Sequence, residues 1–329
     1  MAILVTGGLG YVGSHAVKLL VDRGEQVINL DDLSYGHVGA ASGSEVVIGD
    51  IGDAGLLKRI FSKYPIDAVM HFAAFAAVGE SVENPQKYYI NNISKSIVLL
   101  QEMLAAGVKK MIFSSTAAVF GEPQVVPIPE DHPKDPTNPY GRSKLMLEEI
   151  LSEYDHAYGL KWTALRYFNA SGADPSGTIG EDHTPEHHLI PIVLDVALGK
   201  REKVSIFGTD WPTPDGTCVR DYVHVTDLAN AHILALEALR SGASSNVYNM
   251  GNGSGYSVKE VITVAEEVTG KKIAAVPAER RAGDPARLVA SSEKIKKELG
   301  WKPQFADLPT IISTAWEWHK NHPNGFGDK

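Results

Sequence analysis

Tyr140 and Lys144 stand four residues apart in Pro139-Tyr140-Gly141-Arg142-Ser143-Lys144, the separation that puts two side chains on one face of a helix. A free phenol titrates near pH ~10 and is a poor base at neutrality. An ammonium ion beside it favours the phenolate, as would the positive charge of an oxidised nicotinamide, and the phenol then becomes a usable general base. Thr116, in Phe113-Ser114-Ser115-Thr116, adds a hydroxyl able to share the proton of a substrate alcohol. Tyr140, Lys144 and Thr116 are therefore the expected catalytic set, suited to moving a proton on and off an alcohol.

The hydride that leaves an alcohol needs a carrier, and a second stretch supplies its site. Thr6-Gly7-Gly8-Leu9-Gly10-Tyr11-Val12-Gly13 follows the apolar run Ile3-Leu4-Val5 and precedes Ser14 to Arg23, where Val17, Leu19, Leu20 and Val21 give an apolar face and Gly24 a stop. Strand, glycine turn and helix in that order form a pyrophosphate cradle, because the glycines admit close approach and the new helix aims free N–H groups at the phosphates. Gly7, Gly10, Tyr11, Val12 and Gly13 form this loop. The second strand, Gln26 to Leu30, ends at Asp31. A carboxylate there accepts hydrogen bonds from an adenosine ribose and repels a 2′-phosphate, which predicts NAD rather than NADP.

These residues need a scaffold that brings them to one edge. Val46 to Ile48 leads into Gly49-Asp50-Ile51, and Ala68 to Phe72 is the next apolar run. Lys110 to Ser114 follows a helical segment around Asn92 to Ala106, and Trp162 to Phe168 follows another from Tyr140 to about Tyr158. Repeated β-then-α units predict an α/β fold with a doubly wound, Rossmann-type parallel sheet covered by helices on both faces. Its ligand belongs at the carboxyl ends of the strands. Gly7, Asp31, Asp50, Phe72-Ala73-Ala74, Ser114-Ser115 and Tyr167-Phe168-Asn169 all stand at such ends.

After Asn169 the character changes. Residues 171–188 are rich in Gly, Pro, Asp and His, residues 208–217 read as a turn-rich loop, and Ser257-Val258-Lys259-Glu260 reads as a capping box opening a helix to about Thr269. The expected division is a dinucleotide-binding domain over residues 1–170, with a return segment near 221–250, and a smaller α/β substrate-binding region over 171–329. Arg220 and Arg281 suit a diphosphate, since a guanidinium grips phosphate oxygens in bidentate fashion. His183, His187 and His188 have metal-like spacing, but Pro185 interrupts them and no carboxylate-rich or cysteine partner set is apparent, so no metal is expected.

Composition excludes other classes. The 329 residues are 43% hydrophobic and 22% charged, with a net charge of −9, which argues against nucleic acid as a partner. One cysteine, Cys218, excludes an internal disulfide framework. No signal peptide is expected before a strand that begins at the N-terminus, and no apolar run approaches the roughly 20 residues of a membrane span. A cytoplasmic protein without a membrane partner is the expectation.

The chain resembles the extended short-chain dehydrogenase/reductases and, among them, the UDP-glucose (UDP-galactose) 4-epimerases. The resemblance runs from Ile3 to about Pro323. It rests on the glycine loop, His71-Phe72-Ala73-Ala74, Val78-Gly79-Glu80-Ser81-Val82, Tyr140 to Lys144, Leu165-Arg166-Tyr167-Phe168-Asn169, Gly180-Glu181-Asp182, Gly216 to Tyr222 and Arg281 to Asp284. It implies NAD as cofactor and epimerisation at carbon 4 of a UDP-hexose through a 4-keto sugar. Epimerases of UDP-N-acetylhexosamines or UDP-uronic acids, and more distantly nucleotide-sugar 4,6-dehydratases, are the alternatives. By position it puts Asp50 and Ile51 against adenine, and Phe72, Ala73, Ala74, Asn91, Ser114, Tyr167 and Phe168 along the cofactor groove. Asn169, His188, Leu189, Arg220, Arg281 and Asp284, with Thr116, would hold the substrate. The resemblance also implies a homodimer. Ala76 stands where some members carry a lysine that reaches the cofactor.

Overall fold

Ile3, Leu4 and Val5 are all buried because their sheet is covered on both sides. The computed structural model describes residues 1–281 and 284–327; Ala282 and Gly283 of the Arg281–Asp284 motif lie outside the described residues. In strand β1 (Ala2–Thr6), Leu4 faces one core with Ile28, Leu30, Val69 and Phe113. Ile3 and Val5 face another with Val27, Ala68, Met70 and Ile112. Side chains alternate across a strand, so an unbroken apolar run is what a doubly covered strand requires.

Five further strands are β2 (Gln26–Asp31), β3 (Glu45–Ile48), β4 (Ile66–His71), β5 (Lys110–Ser114) and β6 (Lys161–Tyr167). With Asn246–Met250 they make a seven-stranded sheet in the order Asn246–Met250, β6, β5, β4, β1, β2, β3, and every pairing is parallel. The chain winds one way from β1 through β3 and the other way from β4 onward. The crevice at that reversal, between β1 and β4, is where doubly wound sheets bind ligands. Thr6 pairs with His71 there, and the N–H groups of Phe72 and Ala73 both donate to the Thr6 carbonyl. The two strand ends thus leave the sheet side by side.

Helices Ala54–Lys63, Lys95–Ala105 and Pro139–Tyr158 cover one face. Helix α1 (Tyr11–Asp22) and helix Val225–Arg240 cover the other. A second, smaller core gathers helices Leu189–Ala197, Val258–Thr269 and Leu308–Asn321, beside short two- and three-stranded sheets. Ser257 and Glu260 form the expected capping box in full. Two helix starts differ from the sequence reading. Helix α1 begins at Tyr11 rather than Ser14, springing directly from Gly10. Helix Lys95–Ala105 is preceded by a π-helical turn over Ile90–Ser94. Among the described residues no helix is long and apolar enough to cross a membrane.

Candidate active site

The glycine turn is closer-packed than any side chain would allow. Gly7 has φ +71, and a Cβ there would meet the Ala73 nitrogen at 2.5 Å. At Gly13 it would meet the Gly7 carbonyl oxygen at 2.2 Å. Gly10 caps helix α1 without a side-chain hydrogen bond, so the first N–H groups of the helix and its positive dipole end face out of the turn. At the end of β2, Asp31 is oriented by the N–H groups of Leu9 at 3.0 Å and Leu33 at 2.9 Å. A phosphate cradle and a fixed carboxylate one strand away fit NAD.

Other expected cofactor residues are engaged within the protein. The Tyr11 hydroxyl donates to the Gly172 carbonyl at 2.6 Å, so its side chain ties helix α1 to the segment after β6. Val12 follows it in the first turn of α1. Asp50 is ion-paired with Lys95 and accepts the Gly52 N–H at 2.7 Å, while Ile51 beside it is buried. Phe72 lies against the His232 ring, 4.7 Å between centroids, and Ala73 and Ala74 continue the segment half-buried. Asn91 donates to the neighbouring Asn92 amide oxygen at 3.2 Å.

Asn92, which the sequence reading passed over, does more. It accepts the Phe75 N–H at 3.0 Å, and donates to the Phe75 carbonyl and the Ser143 hydroxyl, each at 3.1 Å. It therefore fastens the segment after β4 to the helix that carries Tyr140. Its signal was an asparagine amid apolar helical residues, sited in a π-helical turn of the kind that recurs at functional sites.

The catalytic helix, Pro139–Tyr158, starts where Asn138 accepts the Gly141 N–H at 2.8 Å. Gly141 lets this helix press on the turn after β5, since a Cβ there would lie 2.6 Å from the Ala118 carbonyl oxygen. The approach brings the start of this helix, with Tyr140, to the turn that Thr116 opens. Thr116 in turn accepts the Ala118 N–H at 3.1 Å. Gly141→Ala should separate the two hydroxyls. Misplacement by about 1 Å can cost roughly a hundredfold, so kcat is expected to fall ~10- to 100-fold with inhibition by UDP unchanged. A steady-state assay of the purified variant measures both, and wild-type kcat would refute the close-approach argument.

Lys144 is not where a simple pairing would put it. Its ammonium is buried, donates to the Ser114 carbonyl at 2.8 Å and lies 4.8 Å from the centre of the Phe113 ring. Burial lowers its pKa to about 7, with Glu148 opposing that shift. Burial likewise pushes the Tyr140 phenol up, and the Thr116 side chain opposes it. The ammonium's hydrogen bond goes to a strand-end carbonyl and not to the phenol, so any effect of Lys144 on Tyr140 is exerted through its charge rather than by direct contact. Ser114 presents its own hydroxyl to the Tyr167 hydroxyl at 2.6 Å.

The expected substrate residues fall into two groups. Asn169, His188 and Leu189 line one small cavity with Glu181 and Tyr222. Asn169 is held there by its amide, which donates to the Asp221 carbonyl at 2.9 Å. Phe168 packs beside Leu288 on the cluster of Ala117, Val119 and Phe120. Arg220 forms the second group with Asp284, the ions 3.0 Å apart. Its other terminal nitrogen donates to the Val219 and Pro285 carbonyls at 2.9 and 3.0 Å. Among the described residues the nitrogen facing Asp284 has no partner in hydrogen-bond geometry and is buried, which leaves donor capacity for a phosphate. Arg220 does not pair with the adjacent Asp221, whose carboxylate accepts the N–H groups of Asn252 and Ala290 at 2.8 and 3.0 Å. Arg281 lies over the Phe207 ring at 4.0 Å.

The histidine segment differs most from its sequence reading. Glu181 and Glu186 supply the carboxylates that seemed missing, and they gather with His183 and His188, though not His187. Burial disfavours charge on His183, yet the two carboxylates outweigh it and hold its pKa up at about 9.

Comparison with known proteins agrees with this geometry. Residues 3–251 match the NAD dependent epimerase/dehydratase family. The chain is 57% identical over 326 residues to a UDP-glucose 4-epimerase of Halalkalibacterium halodurans, covering 99% of this chain and 98% of that one. It resembles a crystal structure of a UDP-glucose 4-epimerase with a TM-score of 0.97 and 52% identity over 99% of each chain. The UDP-glucose 4-epimerase of Bifidobacterium longum, solved in complex with NAD+ and UDP, gives a TM-score of 0.93 and 40% identity over 99% of this chain and 100% of that one.

Proposed function

Because the chain belongs to the NAD dependent epimerase/dehydratase family, and within it to the UDP-glucose 4-epimerases, we propose that Tyr140, Thr116 and Lys144 carry its chemistry. The activity is NAD-dependent, redox-neutral epimerisation at carbon 4 of a UDP-hexose, interconverting UDP-galactose and UDP-glucose. The observation that carries the residue assignment is the close approach of the Tyr140 helix to the turn after β5 that Thr116 opens.

NAD, when bound, supplies a hydride acceptor that returns the hydride before product leaves. Gly7, Gly10 and Gly13 would hold its pyrophosphate and Asp31 its adenosine ribose. Tyr140 takes the proton of the 4-hydroxyl, relayed through Thr116, and gives it back on the return step. Moving a proton both ways requires a phenol whose two protonation states are close in energy at working pH. Burial alone favours the protonated phenol, so positive charge near Tyr140, from Lys144 and from oxidised nicotinamide, is the activating element. The 4-keto sugar must turn over in the pocket between the two transfers. Most of the binding energy therefore belongs on the UDP half, for which Arg220, Asp284, Arg281, Asn169, His188 and Leu189 are available. Ala117 and Ala118, which follow Thr116, offer no acid or base to expel a 6-hydroxyl, which disfavours dehydration.

In the same reading residues 1–170 with the return segment 221–250 hold NAD, and 171–329 hold UDP. The protein works in the cytoplasm as a homodimer joined through the helices starting near Asn92 and Tyr140. Purified protein incubated with UDP-galactose and no added NAD should form UDP-glucose by chromatography, with UDP as a competitive inhibitor. A charged hydrogen bond is worth about 1.5–3 kcal/mol, so Arg220→Met should weaken UDP inhibition roughly 10- to 150-fold. No conversion even after NAD is supplied would sink the function. Equal UDP inhibition of the variant would remove the Arg220 anchor alone.

A further inference from the structure

The segment Glu181–His188 carries a constellation that epimerisation does not use. One ligand-capable atom from each of Glu181, His183, Glu186 and His188 lies within 4.8 Å of the other three. Nδ1 of His188 is 2.7 Å from Oε1 of Glu181 and 3.0 Å from Oε1 of Glu186. Nδ1 of His183 is 3.2 Å from Oε1 of Glu181 and 3.7 Å from Oε2 of Glu186.

Two features separate this cluster from an ordinary ion-pair network. The first is direction. Glu181 is only 4% exposed, yet among the described residues its buried Oε1 has no partner in hydrogen-bond geometry, and neither has the buried Nδ1 of His183. Nδ1 of His188 is aligned for a hydrogen bond with Oε1 of Glu186, but the Glu181 and His183 atoms lie this close without such alignment, which leaves their lone pairs available to a shared ion. The second is spacing. Ligands about 2.0–2.2 Å from a tetrahedral zinc ion lie roughly 3.3–3.6 Å from one another, and the four separations straddle that range. The donors are imidazole nitrogen and carboxylate oxygen, which suit borderline divalent ions. The cluster is also braced. Oε1 of Glu186 accepts the N–H groups of His187 and His188, each at 2.7 Å, and the Trp318 indole N–H donates to the Glu181 carbonyl at 3.1 Å.

We propose that Glu181, His183, Glu186 and His188 form a binding site for one divalent transition-metal ion of the zinc class. The ion closes the segment into a ring at the entrance to helix Leu189–Ala197 and so fixes His188 and Leu189 beside Asn169 at the wall of the cavity. Binding through Nδ1 leaves the His188 proton on Nε2, making that nitrogen a donor.

The test uses tag-free full-length protein, freed of metal by a chelator and then titrated with Zn2+ or Co2+. About one Zn2+ per chain should survive gel filtration, and bound Co2+ should show the visible absorption of a four-coordinate ion. His183→Gln and Glu186→Gln should each weaken Zn2+ binding at least 100-fold, while exposed His156→Gln binds as wild type does. Zn2+ should raise the melting temperature of the wild type and not of the two site variants. Circular dichroism of each variant confirms the fold first; if one fails to fold, the other carries the test. Zinc retention by folded His183→Gln and Glu186→Gln equal to wild type, or no zinc held by wild type after gel filtration, would overturn the site.

Discussion

Tyr140→Phe is expected to lower kcat by about 10²–10⁴-fold, the range that a positioned general acid–base supplies. That is roughly 3–5 kcal/mol of transition-state stabilisation. Arg220 and Asp284 pair with each other and not with the phenol, so inhibition by UDP should stay within about twofold of wild type. Thr116→Val should produce a smaller loss of the same kind, because it removes the relay and leaves the base. The pH profile gives a second reading. Tyr140 must be ionised to accept the proton, so kcat/KM should rise with pH. Lys144→Met removes a cation, which raises the pKa of the phenol and moves that rising limb to higher pH. Undiminished turnover in Tyr140→Phe, or loss of UDP affinity in step with turnover, would dismiss Tyr140 as the base.

The largest stability effect should come from Arg166→Met. Arg166 stands near the C-terminal end of β6 and meets Glu148 of helix Pro139–Tyr158, with 2% and 4% of the two side chains exposed. Arg166 Nε donates to Glu148 Oε1 at 2.9 Å, and a second nitrogen reaches Oε2. The Ser115 hydroxyl donates to the same carboxylate at 2.6 Å. Removing the arginine strands a buried carboxylate, which costs about 3–5 kcal/mol, and urea unfolding at pH 8 should show a loss of that size. Arg166→Met with Glu148→Leu should recover most of the stability, since an apolar pair of similar volume replaces the ions. A single-variant loss under about 1 kcal/mol, or no recovery in the double variant, would refute this account. Ser115 adjoins Thr116, so activity should fall along with stability.

The sequence was most legible where one residue type has a physical monopoly. Gly7 and Gly13 had to be glycines because backbone from elsewhere sits where a Cβ would go, and Asp31 could be read because it closes β2. Partners across the fold were not legible. Lys144 is four residues from both Tyr140 and Glu148, yet its ammonium meets a carbonyl of β5, and helical spacing cannot reveal that. The Arg166–Glu148 pair had one trace, a charge inside the apolar run Trp162 to Tyr167. Glu181 was hidden as a neighbour of His188 because the chain must reverse between them, and no local periodicity records a reversal. Helix α1 started early because Gly10, with φ −79 and ψ 174, serves as the cap without any side-chain oxygen.

The strand Asn246–Met250 has a consequence for anyone wishing to exchange substrate specificities. It pairs with β6 after the chain has already contributed Leu189–Ala197 to the second core, and the chain then returns to that core with Val258–Thr269. The polypeptide passes between the two cores three times. No single cut separates them, and neither half of the sequence is a transplantable module. A chimera carrying a relative's sugar pocket needs matched seams on both sides of 221–250, and a fusion with one crossover would leave the sheet without its edge strand.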